Sequence, residues 1–84
     1  MPDLKKATVD RRVRRTERML KEAFIALVLD RGYDQVSVED ITSRADVARA
    51  TFYAHYAKKE DLMTAVFSEL VDDVMGRLTL SEGP

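Results

Sequence analysis

From Thr16 to Arg31 the apolar positions Met19, Leu20, Ala23, Phe24, Leu27 and Val28 recur at intervals of three and four, the spacing of one helix face. Gly32 follows, and a glycine just past a helix end predicts a stop there, because it enters the left-handed region without a Cβ clash. Tyr33-Asp34-Gln35 then reads as a short loop. Ser37-Val38-Glu39-Asp40 is close to a capping box, with Ser37 as N-cap and Asp40 in the place usually held by Glu or Gln. Behind it, Val38, Ile41, Thr42 and Ala45 share one face of a short second helix. Asp46-Val47-Ala48 predicts a turn, since Asp tolerates positive φ and Val47 can plug the gap between two helices. A third helix is expected from Arg49 to Tyr56, a link at Ala57-Lys58, and a fourth helix from Lys59 to about Met75.

The fourth helix carries two parallel apolar rows: Leu62, Val66, Leu70, Val74 and Met63, Phe67, Val71, Met75. One small core covers only one of them, so the second row is expected to meet something else or to lie bare because the chain stops early. Gly76 and the tail Ser81-Glu82-Gly83-Pro84 read as the frayed edge of a longer design. No internal repeat or low-complexity tract interrupts the pattern. The expected class is all-α: a three-helix bundle containing a helix-turn-helix at about 37–56, with a fourth linking helix.

Composition narrows the function classes. At 84 residues the chain makes at most one domain, burying only about 60–65% of its unfolded surface, so marginal stability is expected. Cysteine is absent, which removes disulfides, thiol catalysis and Cys-based zinc sites. No apolar run approaches the ~20 residues of a membrane span, and the basic start MPDLKKATVDRRVRRT has no apolar stretch behind it to make a signal peptide. The expected compartment is the cytoplasm. The net charge of −1 hides an asymmetry. Nine Lys and Arg face five Asp and Glu in residues 1–31, four face five in 32–60, and one faces five from 61 onward. A polyanion feels a local patch within a Debye length of roughly 8–10 Å, so the basic end matters more than the sum.

Two short helices joined by a three-residue turn, after a longer apolar helix, form a helix-turn-helix whose second helix lies in the DNA major groove. On that helix Phe52 and Tyr56, four apart, are expected in the core. Arg49, Ala50, Thr51, Tyr53, Ala54 and His55 are left to face outward. Hydroxyls of Thr51 and Tyr53 suit phosphate oxygens, Arg49 can donate twice to a guanine edge, and Ala50 and Ala54 let the helix axis approach the bases. The bland alternative is that Tyr53 and His55 cover the core with polar tips outward.

At these residues the sequence resembles the DNA-binding domain of the TetR family of bacterial transcriptional repressors. The likeness is carried by RGYDQVSVEDI (Arg31 to Ile41), by ADVARATFYAHYAKKEDL (Ala45 to Leu62), by Thr51, Tyr53 and His55 within it, and by Lys59-Glu60. It spans about Arg14 to Met75. The resemblance implies a homeodomain-like fold of the TetR N-terminal type and a DNA-binding set of Ser37, Ala48, Arg49, Ala50, Thr51, Tyr53, Ala54, His55 and Lys59. Within that set it implies phosphate contacts from Thr51, Tyr53 and Lys59, backbone holding by Ser37, and Arg49 and Ala50 nearest the bases. It also implies a palindromic duplex operator, a homodimer in the full-length protein, and a ligand-binding and dimerisation domain beyond residues 76–84 that takes a small effector. Three positions depart from the family pattern: Asp46 for the usual turn Gly, Ala48 for a capping Ser, and Lys58 for the small cap of the fourth helix.

Residues 1–13 are expected to form a basic arm. Arg11, Arg12, Arg14 and Arg15 can reach an adjacent minor groove; alternatively, Arg14, Arg15 and Arg18 solvate the first turn of helix one. Catalysis is not expected: His55 is the single histidine, and no carboxylate or Ser shares its helix face at the spacing of a triad. No cofactor or metal is implied either, as one His is too few ligands. A helical protein-interaction module without DNA binding is the rival class, on account of the exposed Met and Phe row.

Overall fold

The computed structural model describes the backbone of residues 3–81 and the side chains of residues 10–78. Its elements are α1 (Asp3–Arg31), a single 3-10 turn (Tyr33–Gln35), α2 (Val38–Ala45), α3 (Arg49–His55) and α4 (Lys59–Ser81). The described chain is all-α. Leu20, Phe24, Val36, Ile41, Phe52 and Leu62 are essentially fully enclosed at its centre, with Ala23, Leu27, Ala45 and Tyr56 completing the core. Met19, Val28, Tyr33, Val38, Val47, Ala65 and Val66 pack around that cluster. The core lies at the crossing of α1, α2, α3 and the start of α4, where the expected rows of the first three helices meet Leu62 and Val66.

Local chemistry sets the boundaries. Gly32 closes α1 at φ +85, its N–H donating to the Val28 carbonyl at 2.8 Å. The capping box forms as the sequence predicts: Asp40 N–H donates to Ser37 Oγ at 3.1 Å, and Ser37 N–H donates to Asp40 Oδ2 at 3.0 Å. Arg31, with its Nη1 3.5 Å from Asp40 Oδ2, adds a cation to this corner. Those bonds hold the Asp40 carboxyl below its usual range, the Ser37 backbone N–H contributing most. Thr42, the one buried polar side chain of the core, turns its hydroxyl back to the Val38 and Glu39 carbonyls at 3.0 and 3.2 Å. Asp46 ends α2 in the left-handed conformation, φ 58 and ψ 47, its N–H pointing at the carbonyls of Thr42 and Ser43. Asp stands where Gly is usual, and the backbone makes the same turn.

Four boundaries differ from expectation. Helix one begins at Asp3 rather than near Thr16, because Lys, Ala and Arg are good helix formers and no Gly or Pro interrupts residues 3–31. The supposed arm at 3–13 is thus a continuation of α1, while residues 1–2 lie outside the described residues. Tyr33–Gln35 is a 3-10 turn rather than an open loop. The third helix ends at His55, with Tyr56 in extended backbone at φ −137 and its N–H still bonded to the Phe52 carbonyl. Helix four runs through Gly76 to Ser81 instead of fraying near Met75; the tail from Glu82 lies outside the described residues.

Helix four departs from the core after its first turns. Leu62 is buried and Val66 half-buried, whereas Leu70 and Val74 of the same row are exposed. The second row, Met63, Phe67, Val71 and Met75, is exposed throughout. One bond ties the two long helices further out: Lys21 Nζ donates to Glu69 Oε2 at 2.7 Å, and that contact raises the lysine's pKa. The chain is consequently flat, 47 × 44 × 18 Å.

Candidate nucleic-acid interface

Seven residues make too short a helix to persist alone, and α3 begins at Ala48 with no side-chain cap. Its position comes from the inner face. Phe52 is fully buried, stacked edge-on against Tyr53 at 5.3 Å and tilted against Tyr56 at 5.6 Å. The Tyr56 hydroxyl is enclosed with no hydrogen-bond partner among the described residues, and burial raises its pKa. Backbone bonds from Thr51 and Phe52 N–H to the Ala48 carbonyl start the helix in place of a cap.

The outer face holds Arg49, Ala50, Tyr53 and Ala54, all exposed, and Thr51, half-buried at its edge. Tyr53 is 54% exposed, its ring braced against Phe52 and its hydroxyl free to reach a phosphate. Two small alanines between two polar side chains leave room for a base-pair edge, which is the arrangement expected of a groove-lying helix. Ser37 is exposed at the start of α2, with its hydroxyl accepting the Asp40 N–H. Ala48 is exposed beside Arg49.

Two site residues are placed differently from expectation. His55 does not face outward: its side chain is only 15% exposed, with Nδ1 4.0 Å from Glu17 Oε2. Its position, three residues past Phe52, rotates it toward α1. Lys59 does not offer its ammonium freely to a phosphate either. Nζ donates to the carbonyls of Tyr33 at 3.0 Å and Val36 at 2.9 Å, and lies 4.3 Å from the centre of the Tyr33 ring. The Tyr33 carbonyl, which also accepts the Val36 N–H, and the Val36 carbonyl just past the 3-10 turn hold the ammonium, and the ring face adds a cation–π attraction. Burial first, and second the Glu60 carboxylate next along, raise the Tyr33 pKa.

Sequence reasoning missed three pairs. Arg49 Nη2 lies 3.6 Å from Glu39 Oε2, joining the two helices of the motif on their outer side. Glu17 reaches His55, and Lys59 reaches the turn at 33–36. The first was within reach, because Glu39 and Arg49 both fall on positions opposite the core. The others join residues far apart in sequence and carry no local signal. Among the described residues, no group of three or more His, Cys, Asp or Glu comes together as a metal site, and no helix is long and apolar enough to cross a membrane.

The model of a family described as bacterial regulatory proteins, tetR family, matches residues 21–66, more than half of the chain. The chain belongs to that family. The match covers the last 11 of the 29 residues of α1, the whole helix-turn-helix and the start of α4, which are the elements around the core. Among curated tetR-type relatives, an uncharacterized HTH-type transcriptional regulator of Bacillus subtilis (strain 168), YxbF, is 35% identical over 81 residues, spanning 95% of this chain and 21% of the relative. DhaS of Lactococcus lactis, an HTH-type transcriptional activator of the dhaKLM operon, is 34% identical over 62 residues, or 69% of this chain and 33% of the relative. DhaR of Mycobacterium sp. (strain GP1), an HTH-type transcriptional repressor, is 36% identical over 55 residues, or 66% of this chain and 28% of the relative. The chain therefore spans about a fifth to a third of the length of these relatives. No solved structure gives a significant match. As a tetR-family regulator the chain carries the DNA-binding helix-turn-helix of transcriptional regulators.

Proposed function

We propose that this tetR-family chain reads duplex DNA by laying α3 along the major groove, with Arg49 and Ala50 nearest the bases and Thr51, Tyr53 and Ser37 on phosphates. One observation carries the reading: Phe52 is buried beneath an outer face of Arg49, Ala50, Tyr53 and Ala54, small and polar where a groove demands it. Lys59 takes a different part, holding the 33–36 turn and so the start of α2. Because α1 is helical from Asp3, its basic end is a rod about 10–12 Å across, wider than the ~6 Å minor groove, so Arg11, Arg12, Arg14 and Arg15 meet phosphates from outside. Glu17 lies 4.0 Å from His55, and six residues of helix rise only about 9 Å, so Arg11 stands less than two turns along α1 from the residue that meets the end of α3.

At the level of the whole protein, the reading is a cytoplasmic, non-enzymatic repressor acting as a homodimer on a palindromic operator. The reading includes a dimerisation domain that takes a small effector, as the resemblance implies. The exposed row Met63, Phe67, Val71 and Met75 favours a second reading, apolar docking onto a protein without DNA. A salt titration of binding to random-sequence duplex separates the two. Under the first reading, duplex binding falls by about 0.9 in log K per log salt for each phosphate contacted; under the second, the duplex is not bound at low salt either. Tyr53→Phe should weaken every sequence alike, and Arg49→Ala should relax one base position by about 1–3 kcal/mol. An Arg49→Ala variant that keeps the full base preference removes Arg49 from the bases.

A further inference from the structure

Glu39 is the second residue of α2 and Arg49 the first of α3, and their side chains meet across the motif with Nη2 and Oε2 3.6 Å apart. Both stay open to solvent, 71% and 63% exposed, where an ion pair adds little to folding. On the face proposed to meet DNA, a carboxylate also repels the phosphates, so neither stability nor general affinity accounts for it. Another effect remains. An exposed arginine is long and samples many rotamers, while its planar fork discriminates a base only when held in one plane.

We infer that Glu39 is a positioning residue that fixes the guanidinium of Arg49 against one base edge and so sets specificity at that base pair. The inference rests on the reading of Arg49 as a base contact. The carboxylate engages one nitrogen of the fork and leaves the other donors for the base. When DNA closes over the pair and expels water, the attraction strengthens and the fork is held more firmly. Removing the charge while keeping the shape therefore has two effects of opposite sign. Repulsion of phosphate is relieved, so every sequence binds more tightly. Arg49 is released, so the preference at one position falls.

The test is binding-site selection from random duplexes at about 50 mM salt, followed by affinities for all four bases at each position of the selected site. The unsubstituted chain is compared with Glu39→Gln, Arg49→Ala and the two combined. The expected result is that Glu39→Gln raises affinity for all sequences severalfold and flattens one position by about tenfold. Arg49→Ala should flatten that same position, and the combination should flatten it no further. If Arg49→Ala flattens a position that Glu39→Gln leaves intact, the inference falls and Arg49 remains a base contact. If Glu39→Gln flattens a different position, or flattens any base position further when Arg49 is Ala, Glu39 reads a base itself and the inference falls. Should Arg49→Ala flatten nothing, or the unsubstituted chain select no sequence, the reading of Arg49 fails and the inference with it.

Discussion

Replacing Lys59 by Met keeps the apolar stem and removes the ammonium, which separates a structural role from a phosphate contact. Nζ donates to the Tyr33 and Val36 carbonyls at 3.0 and 2.9 Å and sits 4.3 Å from the Tyr33 ring centre. Hydrogen bonds to a charged group contribute about 1.5 kcal/mol each at the lower end, and an exposed cation–π contact about 0.5 kcal/mol. Freeing the pinned side chain returns up to about 2 kcal/mol of rotamer entropy, so the net loss is about 1.5 kcal/mol. For a chain of this size each kcal/mol shifts Tm by roughly 4–8 °C, which gives a fall of about 6–12 °C. Thermal unfolding followed by circular dichroism at 222 nm measures the fall. The salt slope of DNA binding should stay that of the parent. A Tm within about 2 °C of the parent, together with a slope shallower by about 0.9, would mean that the ammonium serves a phosphate instead.

Phe52→Ala should cost about 3–5 kcal/mol, a large part of the stability of so small a chain, and urea unfolding should show a midpoint moved far toward zero. A shift under about 1 kcal/mol would mean that α3 is not anchored by this ring. Asp40 supplies a pH dependence. Its folded pKa lies below the unfolded one, so its contribution is full at neutral pH and is lost as pH falls through the folded value, below the usual carboxylate range. Asp40→Asn should flatten the decline of Tm on acidification, and an unaltered decline would assign it to another carboxylate. At Gly76 an added Cβ meets nothing within 4 Å, so Gly76→Ala should strengthen the far end of α4 by about 0.5–1 kcal/mol. Slower amide exchange in residues 72–80 reads that gain, and unchanged exchange would contradict it.

The core and the motif were legible because each is written in short-range spacing. Met19 to Val28 repeats every three or four residues, Ser37 and Asp40 cap each other three apart, and Asp46 is a residue that accepts positive φ. Phe52 and Tyr56, four apart, fell inward for the same reason. What escaped depends on the third dimension or on the lack of a stop signal. Leu4, Ala7, Val9 and Val13 make no row continuous with Met19 to Val28, so a pattern of apolar positions gave no reason to extend α1 there, and backbone propensity decided it. The targets of Lys59 and His55 lie 26 and 38 positions away, and a side chain's partner at that range is settled only when the helices cross. An exposed position on a helical wheel is a statement about one helix, whereas His55 is covered by another.

The recognition helix borrows its existence from the bundle. With seven residues, no side-chain cap at Ala48 and two aromatic rings at its base, α3 holds its shape only while Phe52 and Tyr56 stay packed. Loosening the core, releasing the 33–36 turn from Lys59, or removing a phosphate contact at Tyr53 all weaken binding to every sequence together. The salt slope divides these causes, since only a lost phosphate contact makes it shallower. A change confined to one base position has fewer origins. It requires that α3 remain folded and docked while one side chain loses its hold on one edge, and on the outer face the side chain with the donors for that is Arg49, with Glu39 beside it. On the proposed reading, specificity in this chain turns on a pair of charges that contributes almost nothing to its fold.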